Sequence, residues 1–119
     1  MTARRYLDLH DVGGADDYFS SDLADDEMQK RFSAFGAKGV RCLVAYSGAD
    51  EYAPKSVDKP KLVEKICGAC AADNAARVTG LVAAGAPHNC AGAEEAFVAA
   101  CVAFLTGGAV EGACFDTRK

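Results

Sequence analysis

The sequence predicts an α/β domain, and three observations carry that expectation. Residues 40–46, V-R-C-L-V-A-Y, form a nearly continuous apolar run of strand length that stops at Ser47-Gly48. Residues 77–83, R-V-T-G-L-V-A, form a second such run, and residues 58–72 between them set apolar Leu62, Val63 and Ile66 against polar Lys59, Lys61, Glu64 and Lys65. A strand, a helix and a strand in that order imply two parallel neighbours joined by a right-handed crossover.

The remaining elements follow in chain order. Residues 2–11, TARRYLDLHD, suit a short helix capped by Thr2, with Tyr6 and Leu9 three apart on one face, and Val12-Gly13-Gly14 ends it. Residues 15–23 read as a loop anchored by Tyr18 and Phe19, which pack on the core rather than meet a ligand. Asp25, Asp26 and Glu27 then open a helix over 24–35, where carboxylates suit the positive end of the helix dipole. Met28, Phe32 and Phe35 make its apolar stripe, and Gly36 and Gly39 close it. The strand over 40–46 has the pattern of one covered on both faces. In the helix over 58–72, Pro60 falls in the first turn, where a missing N–H is tolerated. Residues 93–105 form a last helix, stopped by Gly107-Gly108, and 109–119 read as a loose tail behind the folded segment 1–108. No third strand is legible, so the two parallel strands read as part of a larger sheet.

Composition narrows the function. The chain has 119 residues, half of them hydrophobic, which is one domain's worth of core. Thirteen basic and seventeen acidic residues give a net charge of -4, and the basic ones are scattered, so nucleic acid has no electrostatic footprint. The acidic residues crowd the first quarter, from Asp8 to Glu27, as a solvated face does. No apolar run approaches the ~18 residues of a membrane span, and residues 1–20 are broken by Arg4, Arg5, Asp8 and Asp11. The expectation is a soluble, cytoplasmic protein with no membrane partner. Six cysteines (42, 67, 70, 90, 101 and 114) then read as free thiols.

The chemistry lies where the strands end. Ser47-Gly48-Ala49-Asp50-Glu51-Tyr52 follows the first run, and Gly85-Ala86-Pro87-His88-Asn89 follows the second. Parallel neighbours bring such loops together at the carboxyl edge of the sheet, where α/β proteins bind ligands. An aspartate bonded to one imidazole nitrogen fixes the tautomer and leaves the other nitrogen as a general base. Asp50 and His88 are therefore the candidate acid and base.

These loops and the helix over 93–105 resemble the acid loop, histidine loop and final helix of α/β-hydrolases, in which the acid precedes the histidine and the nucleophile comes earlier. More narrowly, R4-R5-Y6-L7, D16-D17-Y18-F19-S20-S21-D22-L23, S47 to Y52 and V57-D58-K59 are similar to an uncharacterised, largely fungal and protist branch that includes siderophore-ester hydrolases. The resemblance runs from about Ala3 to Leu105. It implies a partial α/β-hydrolase fold, the last two parallel strands with flanking helices, in which the nucleophile-bearing half is absent. It also implies a small-molecule carboxylic ester as substrate of the complete enzyme, Asp50 and His88 as catalytic residues, and neither cofactor nor metal. No Gly-x-Ser-x-Gly elbow is present, and Ser20, Ser21, Ser33, Ser47 and Ser56 all lack that context, so the chain alone is expected to be inactive. The alternative is a degenerate remnant or an interaction module that self-associates or pairs its exposed strand edges with a partner.

Cysteine chemistry is the rival. Cys67 and Cys70 form Cys-x-x-Cys near the end of a helix, whereas a redox pair needs its first thiol at a helix amino terminus. A zinc site from Cys67, Cys70, His88 and Cys90 would have a spacing of two in its second half, too short for the usual knuckle. Cys70 as a nucleophile lies between Asp50 and His88, the wrong order for the fold. Buried apolar side chains are the better reading of both cysteines.

Overall fold

The computed structural model describes residues 23–71 and 76–118, with Ala3 alone before them. Apart from Ala3, the helix expected over 2–11 lies outside the described residues, as do the anchors Tyr18 and Phe19. The described elements run α1 (Asp25–Ala37), β1 (Cys42–Ser47), α2 (Lys59–Ala71), β2 (Val78–Ala83), α3 (Glu94–Leu105) and β3 (Phe115–Asp116).

Local chemistry sets these bounds. Three acidic residues occupy the first turn of α1. Its end is a Schellman turn: with Gly39 at φ +66°, the Gly39 amide donates to Gly36 and the Val40 amide to Phe35. Gly39 alone therefore closes the helix, and Gly36 is buried inside it. Asp58 caps α2, its carboxylate accepting from the Lys61 amide at 3.1 Å.

The crossover is as expected, with β1 parallel to β2 from Cys42↔Val78 to Ser47↔Ala83. Two expectations are corrected. Among the described residues β1 is an edge strand of the order β1-β2-β3, half-buried with Ala45 exposed, while β2 is the covered strand, buried from Val78 to Leu81. An apolar run reads alike in either place, because strand order depends on distant pairing. The segment read as a loose tail supplies the third strand, antiparallel to β2 through Thr79↔Asp116 and Gly80↔Phe115. Two residues are too few for a periodic signal.

The strands alternate with period two between two cores. Cys42, Val44, Tyr46, Val78 and Val82 meet Val63, Ile66, Cys67 and Cys70 of α2, over which α1 lays Met28 and Phe32. Leu43 and Leu81 on the opposite face meet Ala100 and Phe104 of α3 and Val110. Gly80 lets α2 seat closely, since a Cβ there would stand 2.7 Å from Cys67 Sγ and Val63 Cγ1. The outward face of α3 remains apolar, with Val98, Val102 and Leu105 exposed. No helix among the described residues is long and apolar enough to cross a membrane.

Candidate active site

Because Ser47 pairs with Ala83, the loops after β1 and β2 leave the sheet side by side. The Gly48 amide donates to the Ala83 carbonyl at 2.8 Å, and the Ala49 amide to the Ala86 carbonyl at 2.9 Å. Gly85 turns the second loop at φ +75°, a conformation that favours glycine. From the first turn of α2, Lys59 Nζ donates to the Gly48 carbonyl at 2.6 Å and so pins the acid loop from below.

This frame brings the two predicted residues together. Asp50 Oδ2 lies 2.9 Å from His88 Nδ1, and Asp50 Oδ1 accepts from the Tyr52 amide at 2.9 Å. The carboxylate side chain is 12% exposed and the imidazole 59%, so the acid is recessed and the histidine faces solvent. The hydrogen bond from His88 holds the Asp50 carboxyl below its ordinary value, against an opposing push from burial. The same bond, followed by the aspartate's charge, raises His88 above its ordinary 6.5. With Nδ1–H given to the carboxylate, Nε2 carries the lone pair that can take a proton.

A groove of about 270 Å³ adjoins the pair, lined by Val44, Ala45, Tyr46 and Ser47 of β1 together with Asp50 and His88. Burial and then the charge of Asp50 push the Tyr46 phenol up, so it stays protonated and able to donate. Ser47 Oγ lies 3.9 Å from Cys90 Sγ. Of the other serines, Ser33 is on α1 and Ser56 precedes α2, while Ser20 and Ser21 lie outside the described residues.

The rival cysteines part company with this site. Cys67 and Cys70 are buried in the core between α2 and the sheet, and burial pushes both thiols up to about 12. Among the described residues, no three His, Cys, Asp or Glu side chains are grouped to hold a metal ion.

From the sequence, Glu51 and Tyr52 read as loop residues, either of which could line an ester pocket, and Lys59 reads as a polar position of the helix over 58–72. All three touch it: Glu51 Oε2 accepts from the His88 amide at 3.2 Å, and the Tyr52 ring stands edge-on to the imidazole, centroids 5.0 Å apart. For Glu51 and Tyr52, nearness to Asp50 in one turn is the available signal.

Residues 1–106 match the model of a family described as "Protein of unknown function (DUF1749)". The chain belongs to this family. Among its relatives, Fusarinine C esterase sidJ of Aspergillus fumigatus is 36% identical over 73 residues, covering 55% of this chain and 21% of that protein. Esterase AN6793 of Emericella nidulans is 39% identical over 75 residues, covering 55% of this chain and 20% of that protein. UPF0613 protein PB24D3.06c of Schizosaccharomyces pombe is 35% identical over 69 residues, 54% of this chain and 22% of that protein. The chain thus spans about a fifth of the length of the curated relatives it matches, and the resemblance to a fungal, esterase-like branch holds. No solved structure matches it.

Proposed function

We propose that this DUF1749 chain is the carboxy-terminal segment of an α/β-hydrolase, and that in a complete context Asp50 and His88 are the acid and base of carboxylic ester hydrolysis. The observation that carries the reading is the 2.9 Å contact between Asp50 Oδ2 and His88 Nδ1, made by loops at the carboxyl ends of parallel neighbouring strands. Two relatives bear esterase names, which supports the class of reaction.

In this mechanism Asp50 orients the imidazole and stabilises the imidazolium. His88 Nε2 takes the proton of a nucleophilic hydroxyl as it attacks the ester carbonyl, then returns that proton to the leaving alcohol. Water, activated by the same nitrogen, releases the acid. No residue of this chain is assigned as nucleophile, because its sequence holds no Gly-x-Ser-x-Gly. The apolar outward stripe of α3 and the edge position of β1 suit a segment of a larger sheet.

A folded sample should neither label with a fluorophosphonate nor hydrolyse a chromogenic short-chain ester, whereas joining it to an upstream elbow-bearing half should give turnover that His88→Ala abolishes. Turnover by the chain alone, lost in His88→Ala, would place a nucleophile within it and overturn the segment reading. Full activity of the joined His88→Ala protein would remove the histidine's role.

A second reading rests on β1 as the sheet edge among the described residues: an interaction module that adds a partner strand there. Sedimentation that shows a concentration-dependent dimer would favour it, and a monomer at all concentrations would count against self-association.

A further inference from the structure

Three consecutive residues meet His88 at three different points. Asp50 Oδ2 holds ring Nδ1 at 2.9 Å, Glu51 Oε2 accepts the main-chain amide at 3.2 Å, and the Tyr52 ring approaches the imidazole at 5.0 Å with an interplanar angle of 79°. We infer that Asp50-Glu51-Tyr52 is a single cradle in which Glu51 and Tyr52 are positioning residues for His88, an inference that rests on the reading of His88 as the base.

The need for a cradle follows from exposure. A histidine on a loop, 59% exposed, has little packing to hold its rotamer. One hydrogen bond at Nδ1 fixes a distance but leaves the ring free to swing about it. An anchor on the His88 amide fixes where the side chain begins, and an aromatic edge against the ring restricts how it turns, at a separation inside the 4.5–7 Å range of favourable ring pairs. Tyr52 is 77% exposed, so the core does not explain its place. Its amide, bonded to Asp50 Oδ1, instead ties it to the acid. A general base must present its nitrogen within a few tenths of an ångström of its proton donor, and the cradle supplies that precision on a loop that lacks a packed shell.

Electrostatics act in the same direction. Asp50 and Glu51 both favour the imidazolium, with Asp50 the larger. From α2 the Lys59 ammonium adds a small pull on the Asp50 carboxyl in the same direction as His88, and from β1 the Tyr46 phenol is pushed up by burial and by the aspartate. Ser47 lines the same groove and lies 3.9 Å from Cys90 through Oγ and Sγ.

The test is an NMR titration of the full chain, whose two histidines, His10 and His88, separate in a His88→Gln sample. Glu51→Ala should lower the His88 midpoint by less than Asp50→Asn does, and should speed exchange of the His88 amide about tenfold, the loss of a hydrogen bond to a charged acceptor. Glu51→Gln should lower the midpoint alike while it keeps most of the amide protection. Tyr52→Leu should shift the imidazole proton resonances and broaden their rotamer distribution, with the midpoint nearly fixed. The cradle is overturned if Glu51→Ala and Tyr52→Leu leave midpoint, exchange and ring shifts as in wild type while Asp50→Asn still moves the midpoint. Should Asp50→Asn itself leave the midpoint unmoved, the Asp50 and His88 pairing fails, and the hydrolase reading goes with it.

Discussion

Gly48 and Ala83 touch through their backbones: the amide of one donates to the carbonyl of the other at 2.8 Å, and a Cβ at position 48 would stand 2.6 Å from that same oxygen. This contact is the seam between the acid loop and the histidine loop. Gly48→Ala must therefore push the strand ends apart, at a cost of about 1–3 kcal/mol typical of overpacking. The Asp50 and His88 hydrogen bond should lengthen with it, so the His88 midpoint should fall toward its ordinary value. Urea unfolding and a histidine titration of the one variant measure both effects. Wild-type values for both would mean that the loops meet without this seam.

Stability should depend on pH in a way that identifies the pair. Asp50 is held below its ordinary 3.8, so its contribution is complete above that pH and is lost as pH falls through the folded value. His88 is raised above 6.5, so its contribution is complete below that pH and is lost as pH rises through the folded value. Between about pH 4 and 6.5 both hold. The difference in unfolding free energy between wild type and Asp50→Asn should therefore be largest in that window and shrink on either side. A difference that is flat from pH 3 to 9 would show that the two side chains do not pair in solution.

The placement of the candidate site is legible in the sequence for a physical reason. The apolar runs over 40–46 and 77–83 fix where two strands end, and strand ends fix the level of the loops that carry Asp50 and His88. Local signals also found α1, because Asp25 to Glu27 and Gly39 act on the backbone within a turn, and the apolar spacing of Leu62, Val63 and Ile66 found α2. What failed was whatever depends on distant residues. The edge position of β1 and the pairing of Phe115 with Gly80 come from long-range contacts that no window of sequence displays. Lys59 escaped for the same reason, since its bond to Gly48 spans eleven residues across a loop and a helix start.

Cys67 and Cys70 should be inert in the folded chain. A thiol pushed from 9.0 to about 12 loses roughly a thousandfold in thiolate at neutral pH, and thiolate is the reactive form. Exposed Cys101 should alkylate first with iodoacetamide, and Cys67 and Cys70 only once denaturant is added. Peptide mass mapping over time reads the order. Native modification of Cys67 or Cys70 at the rate of Cys101 would reopen the redox reading of Cys-x-x-Cys.

Arg77 sits at the end of β2 opposite the site, 5% exposed, and holds α3 in place. Its Nη1 donates to the Phe104 carbonyl at 3.1 Å and its Nη2 to the Gly108 carbonyl at 2.8 Å, while the guanidinium lies 4.6 Å over the Phe104 ring. Phe104 lies in the last turn of α3 and Gly108 just past it, at the negative end of the helix dipole, so a forked cation there is favoured. Arg77→Met keeps much of the volume but removes the fork and should cost about 1.5–3 kcal/mol, as for hydrogen bonds to a charged group. Arg77→Lys keeps the charge without the fork and should fall between Met and wild type. The His88 midpoint should stay unchanged in both variants, because the loops after β1 and β2 are tied to each other and to Lys59 rather than to α3. An unfolding midpoint in urea equal to wild type for Arg77→Met would mean that Phe104 and Ala100 alone seat α3 on Leu81. A shifted His88 midpoint would mean instead that the helix reaches the site through the sheet.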